Sequence, residues 1–124
     1  MLNKSLILLL LASTTNVFSQ MIVDRDQLTR KGDTVFLTTK LYTGKAIRRK
    51  RSDTYKDPII GEEYFKNGLA DGLWKEWYVS GEKKFEGAFK NGVNDGIWIE
   101  WNIDGTVKRK LTFNNGLLIE SKQK

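Results

Sequence analysis

The chain has 124 residues, of which 40% are hydrophobic and 29% charged, a balance that supports a modest core and argues against a wholly disordered chain. It contains no Cys and no His, and its formal net charge is +6. Disulfides, thiol catalysis, the usual zinc sites and every His-based triad are thereby excluded, leaving carboxylates, lysines, hydroxyls and aromatic rings for any chemistry. The expectation is a protein that is not an enzyme, with no cofactor and no metal.

The first element is a leader. Met1 to Lys4 is a short positive start, Leu6 to Ala12 is an apolar run of five Leu, one Ile and one Ala, and Thr14 to Ser19 is polar and small. This three-part pattern is that of a secretory signal peptide over residues 1–19. The run is too short for the ~20 apolar residues that cross a bilayer as a helix, so the chain is not expected to span a membrane. Val17 and Ser19 suit the positions before a cleavage point, which places the cut before Gln20 and leaves 105 residues, one small domain. No Cys follows the cut to carry a lipid anchor. The product is expected in the periplasm or outside the cell, with a fold that holds without disulfides. Export argues against nucleic acid as a partner, although the chain stays basic without its leader.

Residues 20–40 read as an N-terminal hairpin or cap, turning around Lys31-Gly32-Asp33, with Thr34 to Thr38 as the clearest strand. Residues 41–124 read as a repeat array. Within it, residues 47–58 are basic and polar and end in Asp57-Pro58, which reads as a loop or an irregular edge strand. Arg48, Arg49, Lys50 and Arg51 form the one dense basic cluster, either a solvated loop or an attraction for an anionic envelope surface.

The array has a period of 24. Phe65-Lys66-Asn67-Gly68 recurs as Phe89-Lys90-Asn91-Gly92 and as Phe113-Asn114-Asn115-Gly116, and residues 65–82 match residues 89–106 at ten of eighteen positions. Each unit alternates with period two; Ser80-Gly81 and Asp104-Gly105 close the hairpins, and the three Asn-Gly pairs turn the chain back. The fold expected is all-β, a single-layer, twisted antiparallel sheet of stacked β-hairpins. Alternation puts Ile97, Ile99, Trp101 and Ile103, with Leu73, Trp77 and Val79, on an apolar side that should bury on its neighbours, and Trp74, Trp98 and Tyr78 on a mixed side.

Phe85-Glu86-Gly87-Ala88-Phe89-Lys90-Asn91-Gly92-Val93-Asn94-Asp95-Gly96 resembles the core of the MORN repeat, in which an aromatic, Gly, aromatic, Asn-Gly and a second Gly recur at this spacing. The closer similarity is to the bacterial variant found in short exported, YwqK-like proteins. Leu41-Tyr42-Thr43-Gly44-Lys45 is similar to the opening that precedes such arrays. The resemblance covers about residues 41–118 and implies a hairpin array with lipid or protein contacts and no defined catalytic residue. It also carries an antitoxin label that fits poorly with an exported chain. Glu63 and Leu111 depart from it, standing where Gly87 stands in the middle unit.

The candidate binding residues lie on the mixed side: Trp74, Glu76, Tyr78, Lys84, Glu86, Trp98 and Glu100, with Arg48, Arg49, Lys50 and Arg51 beside them. Aromatics interleaved with charges can form a platform for a sugar, a peptide or a headgroup, or a structural ladder that covers the sheet. Glu76 and Glu100 could serve as the two carboxylates of a glycosidase, but repeat equivalence gives them similar environments where such catalysis needs different ones. The function expected is that of an exported repeat module binding a protein or an anionic envelope surface. A cell-wall or glycan-binding aromatic repeat is the alternative, and an antitoxin-like component the distant one.

Overall fold

The computed structural model describes residues 21–51 and 57–123. The leader expected over residues 1–19 and its cleavage point before Gln20 lie outside the described residues. The strands are β1 (Ile22–Asp24), β2 (Leu28–Lys31), β3 (Thr34–Leu37), β4 (Lys40–Leu41), β5 (Gly44–Arg49), β6 (Ile59–Lys66), β7 (Leu69–Trp77), β8 (Lys83–Lys90), β9 (Val93–Trp101), β10 (Val107–Asn114) and β11 (Leu117–Gln123). One turn of 3-10 helix (Arg25–Gln27) joins β1 to β2. The protein is all-β, and β5 to β11 form a meander of stacked antiparallel hairpins in chain order.

Three features go beyond the expected single antiparallel layer. β1 adds to the large sheet parallel to β5, giving eight strands in the order β1-β5-β6-β7-β8-β9-β10-β11. The strands β2, β3 and β4 form a second, three-stranded sheet. The N-terminal hairpin is therefore Leu28 to Leu37, closing at Gly32-Asp33, while Ile22 to Asp24 departs to the other sheet. The small sheet and β1 enclose the buried apolar cluster of Val23, Val35, Tyr42, Ala46 and Phe65, with Leu28, Leu37 and Ala70 packed against it.

The stretch read as a loop or irregular edge strand, residues 47–58, begins as regular strand. Ile47, Arg48 and Arg49 belong to β5, and Ile47 has neighbours on both sides, Asp24 and Glu62. The basic residues tolerate the sheet because acidic groups from other elements meet them. Residues 52–56 of that stretch lie outside the described residues.

The repeat is visible in its turns. Asn67, Asn91 and Asn115 have φ of 49°, 49° and 48°, and the Gly after each has φ of 80°, 84° and 85°. Two successive positive φ values match the twist of the flanking strands, and Asn-Gly is the pair that adopts them at least cost. Each turn then docks on the preceding unit. The Gly68, Gly92 and Gly116 amides donate to the carbonyls of Tyr42 (2.7 Å), Ala70 (2.7 Å) and Asn94 (2.8 Å). The Asn67, Asn91 and Asn115 amides donate to the side-chain oxygens of Thr43 (2.8 Å), Asp71 (3.1 Å) and Asp95 (3.3 Å). Thr43 and the two Asp of the Asp-Gly pairs are thus clasps between units. The glycine of each pair, Gly72 or Gly96, has positive φ in mid-strand. It sits where the register slips, so that Gly96, Ile97 and Trp98 face the single residue Gly87, a bulge that the sequence reading did not anticipate.

Candidate functional site

Residues directly opposite one another across an antiparallel pair share a face of the sheet. Trp74 lies opposite Glu63 and Gly87, Trp98 opposite Leu111, and Phe85 opposite both Glu76 and Glu100. The two Trp therefore share their side with Phe85, Gly87, Phe89, Leu111 and Phe113, and this side is the covered one. The expectation that the aliphatic row is buried and the Trp side open is reversed at Trp98, Leu73 and Ile97, while Trp74, Trp77, Ile99 and Trp101 are half-buried. Trp98 is only 5% exposed, while Leu73 and Ile97 are 48% and 52% exposed. The cause is Gly87, which has no side chain: the Trp98 ring lies directly on it, and a Cβ there would fall inside the ring's van der Waals envelope.

Around that contact runs an aromatic ladder in which Phe and Trp alternate. Ring centroids are 5.2 Å apart for Trp74 and Phe89, 4.9 Å for Phe89 and Trp98, 5.3 Å for Phe85 and Trp98, and 6.2 Å for Trp98 and Phe113. The tilted and edge-on geometries are those that aromatic quadrupoles favour. Trp74 is half-buried, with its indole N–H donating to Glu76 at 3.2 Å and the Arg25 guanidinium 6.0 Å from its ring centroid.

The charged candidates divide between sites. Glu76 pairs with Arg48 at 2.9 Å. Glu100 pairs with Lys108 at 2.8 Å and Arg109 at 2.9 Å, and the Lys108 hydrogen bond leads the effects that lower its pKa. The Tyr78 hydroxyl donates to the Trp101 carbonyl at 2.9 Å, and the Lys84 ammonium stands 5.9 Å from the Tyr78 ring. Glu86 is on the opposite face, across from Lys75 and Ile99, and pairs with Lys83 at 3.1 Å. Of the basic cluster, Arg48 is held by Glu76, Arg49 by Asp24 at 3.2 Å, and Arg51 by Asp26. Lys50 is exposed. The cleft beside them, about 680 Å³, sets Arg25, Arg48, Arg49 and Arg51 against Asp24, Asp26 and Asp57, so its charges are largely compensated.

Sequence reasoning singled out Glu63 only as a departure from the repeat, and its role is structural. It is 2% exposed, bonded to Arg25, and one carboxylate oxygen has no hydrogen-bond partner. Burial pushes its pKa up, against the opposing pull of Arg25, Arg48 and Arg30. Tyr42, from the Tyr-Thr-Gly opening, is buried with its hydroxyl 2.8 Å from both the Met21 and Lys45 carbonyl oxygens, and burial pushes its pKa up to about 12.

The outer face is different in kind. One cross-strand row reads Ile47, Glu62, Lys75, Glu86, Ile99, Lys110, alternating in sign at its centre. Beside it stand Leu73 and Ile97, and near the hairpin tips Val79 and Ile103 are 61% and 60% exposed. The Lys83 ammonium lies 5.4 Å from the Trp101 ring on this side. Among the described residues there is no acidic cluster able to hold a metal ion and no helix long and apolar enough to cross a membrane. Comparison with protein-family models, with curated proteins and with solved structures finds no match. The resemblance to MORN repeats therefore rests on the motif residues alone.

Proposed function

We propose that the protein is an exported, non-catalytic β-repeat module that holds a protein partner on the outer face of its large sheet. The observation that carries this reading is the matched exposure of repeat-equivalent apolar side chains, Leu73 with Ile97 and Val79 with Ile103. A fold that covers its Trp side so thoroughly while presenting the same large aliphatics twice, two strands or about 10 Å apart, has the form of a recognition stripe. The charge row running through that stripe favours a protein over an anionic membrane. Glu62, Lys75 and Glu86 alternate in sign, a pattern that a protein surface can answer with both signs in return, whereas a uniformly anionic membrane would engage only the lysines.

The test is site-specific photocrosslinking at position 97 in envelope extract, beside Leu73→Ser/Ile97→Ser as the disrupting variant. A discrete protein adduct that the double variant loses supports the reading. Normal capture by a folded double variant ends it, and binding to phosphatidylglycerol vesicles or purified peptidoglycan in place of a protein transfers the function to a surface or a glycan. Mass spectrometry of the processed chain should find Gln20 at its N-terminus; an intact Met1 removes export from the proposal.

A further inference from the structure

β11, residues 117–123, lies one 24-residue period after the first seven residues of β9, Val93 to Ile99. β9 is paired on both edges, by β8 and β10, whereas β11 is paired only by β10 and no described strand covers its outer edge. All seven residues of β11 are exposed, Leu117, Leu118 and Ile119 among them. An edge of this length presents unpaired amides and carbonyls to any strand that can match its side chains.

Charges on an edge strand usually prevent such pairing, and the sign pattern here decides which strand is admitted. Glu120 and Lys122 are two residues apart on the same side of β11 and pair with each other at 2.9 Å, both well exposed. An antiparallel copy of β11 related by a two-fold axis at Ser121 sets Glu120 opposite the partner's Lys122, and does so twice. Ile119 then faces the partner's Gln123. Placing the axis one residue earlier would set Glu120 against itself, so charge selects the register as well as the partner. The bulge where β11 departs from β10 between Leu118 and Glu120 limits the matched stretch to Ile119 to Gln123.

We propose that β11 is a homodimerisation edge, joining two copies by antiparallel β11 pairing into one continuous sheet with crossed Glu120–Lys122 ion pairs. The two-fold axis stands normal to the sheet, so both outer faces point the same way. The short matched stretch makes the dimer a weak one, populated at high micromolar concentration.

Sedimentation velocity over a concentration series tests it. The wild-type protein should show a monomer–dimer equilibrium with no larger species. Glu120→Lys and Lys122→Glu should each weaken it about tenfold, since each replaces two opposite-charge pairs by like-charge ones. Mixing these two variants should restore dimers, because both crossed pairs then set a lysine of one chain against a glutamate of the other. Glu120→Lys/Lys122→Glu in one chain should also restore them, with the signs exchanged. All these changes are on exposed side chains and leave the fold intact. A monomeric wild type at several hundred micromolar overturns the proposal. So does a dimer that ignores the charge changes but is lost in Leu73→Ser/Ile97→Ser, which would locate self-association on the outer face, and so does a ladder of larger species, which would mean a head-to-tail contact.

Discussion

Glu63 and Gly87 occupy the same place in successive units, 24 residues apart, and the sheet is covered differently above each. Over Glu63 and its neighbours the chain supplies a second layer: the small β2–β3–β4 sheet brings Val35 into the buried cluster with Tyr42, and Arg25 reaches down to the carboxylate. Over Gly87 no second layer arrives among the described residues, and the rings of Phe85, Phe89, Trp98 and Phe113 become the layer themselves. The difference teaches that this repeat needs a cover on one face only. A folded cap can provide it, or a Trp laid on a glycine can, and the outer face exposes Leu73 and Ile97 in the ladder region while Ile47 at the capped end is buried.

The ladder is where this contrast breaks most severely. Trp98→Ala removes the ring that three phenylalanines contact and should cost ~3–5 kcal/mol in a urea titration, as buried aromatic truncations do. Gly87→Ala should cost ~1–3 kcal/mol by overpacking against that ring; if both changes prove nearly silent, the ladder is not what covers this half. At the capped end, Tyr42→Phe removes a buried hydroxyl that lies 2.8 Å from the Met21 and Lys45 carbonyl oxygens and should cost about 1–2 kcal/mol, read as a lowered thermal midpoint.

A third effect is a slope. Because burial raises the Glu63 pKa, the folded state holds its proton to higher pH than the unfolded chain does. Its contribution to stability is complete below the ordinary glutamate value and is lost as pH rises through the raised one. Glu100, whose pKa is lowered first by the Lys108 hydrogen bond, acts in the other direction: its contribution is present above the ordinary value and disappears as pH falls through the lowered one. Chemical denaturation from pH 4 to 7 should therefore show wild type losing stability relative to Glu63→Gln as pH rises; parallel curves would mean that the carboxylate is not desolvated by the cap. The smallest effect belongs to the exposed groups. Arg51→Ala, breaking a pair in which both partners are largely in water, should change stability by less than about 0.5 kcal/mol.

Much of this molecule is local and was legible along the chain. The 24-residue period, the Asn-Gly turns and the period-two alternation are properties of adjacent residues, and they suffice for an all-β array of hairpins. Alternation alone cannot say which side is covered, because both sides of these strands carry large apolar residues. That was decided across strands, by a register that brings Trp98 over Gly87 and by bulges at Gly72 and Gly96. The basic run at Arg48 to Arg51 looked like a solvated loop for the same reason: its acidic partners, Asp24, Asp26 and Glu76, lie about 25 residues away in either direction and meet it only when β1 and β7 take their places.

The candidate site divides along the same line. The residue types for recognition, paired aromatics and mixed charge at a fixed period, were written in the sequence. Their allocation was not: Trp74 and Trp98 went to the ladder, Glu76 and Glu100 to ion pairs, and the exposed stripe fell to Leu73, Ile97, Val79 and Ile103. By itself the sequence determined where the strands turn and how often the unit recurs, since those depend on backbone preferences of neighbouring residues. Only the tertiary structure decided which face meets solvent, because burial is set by what another part of the chain places on top.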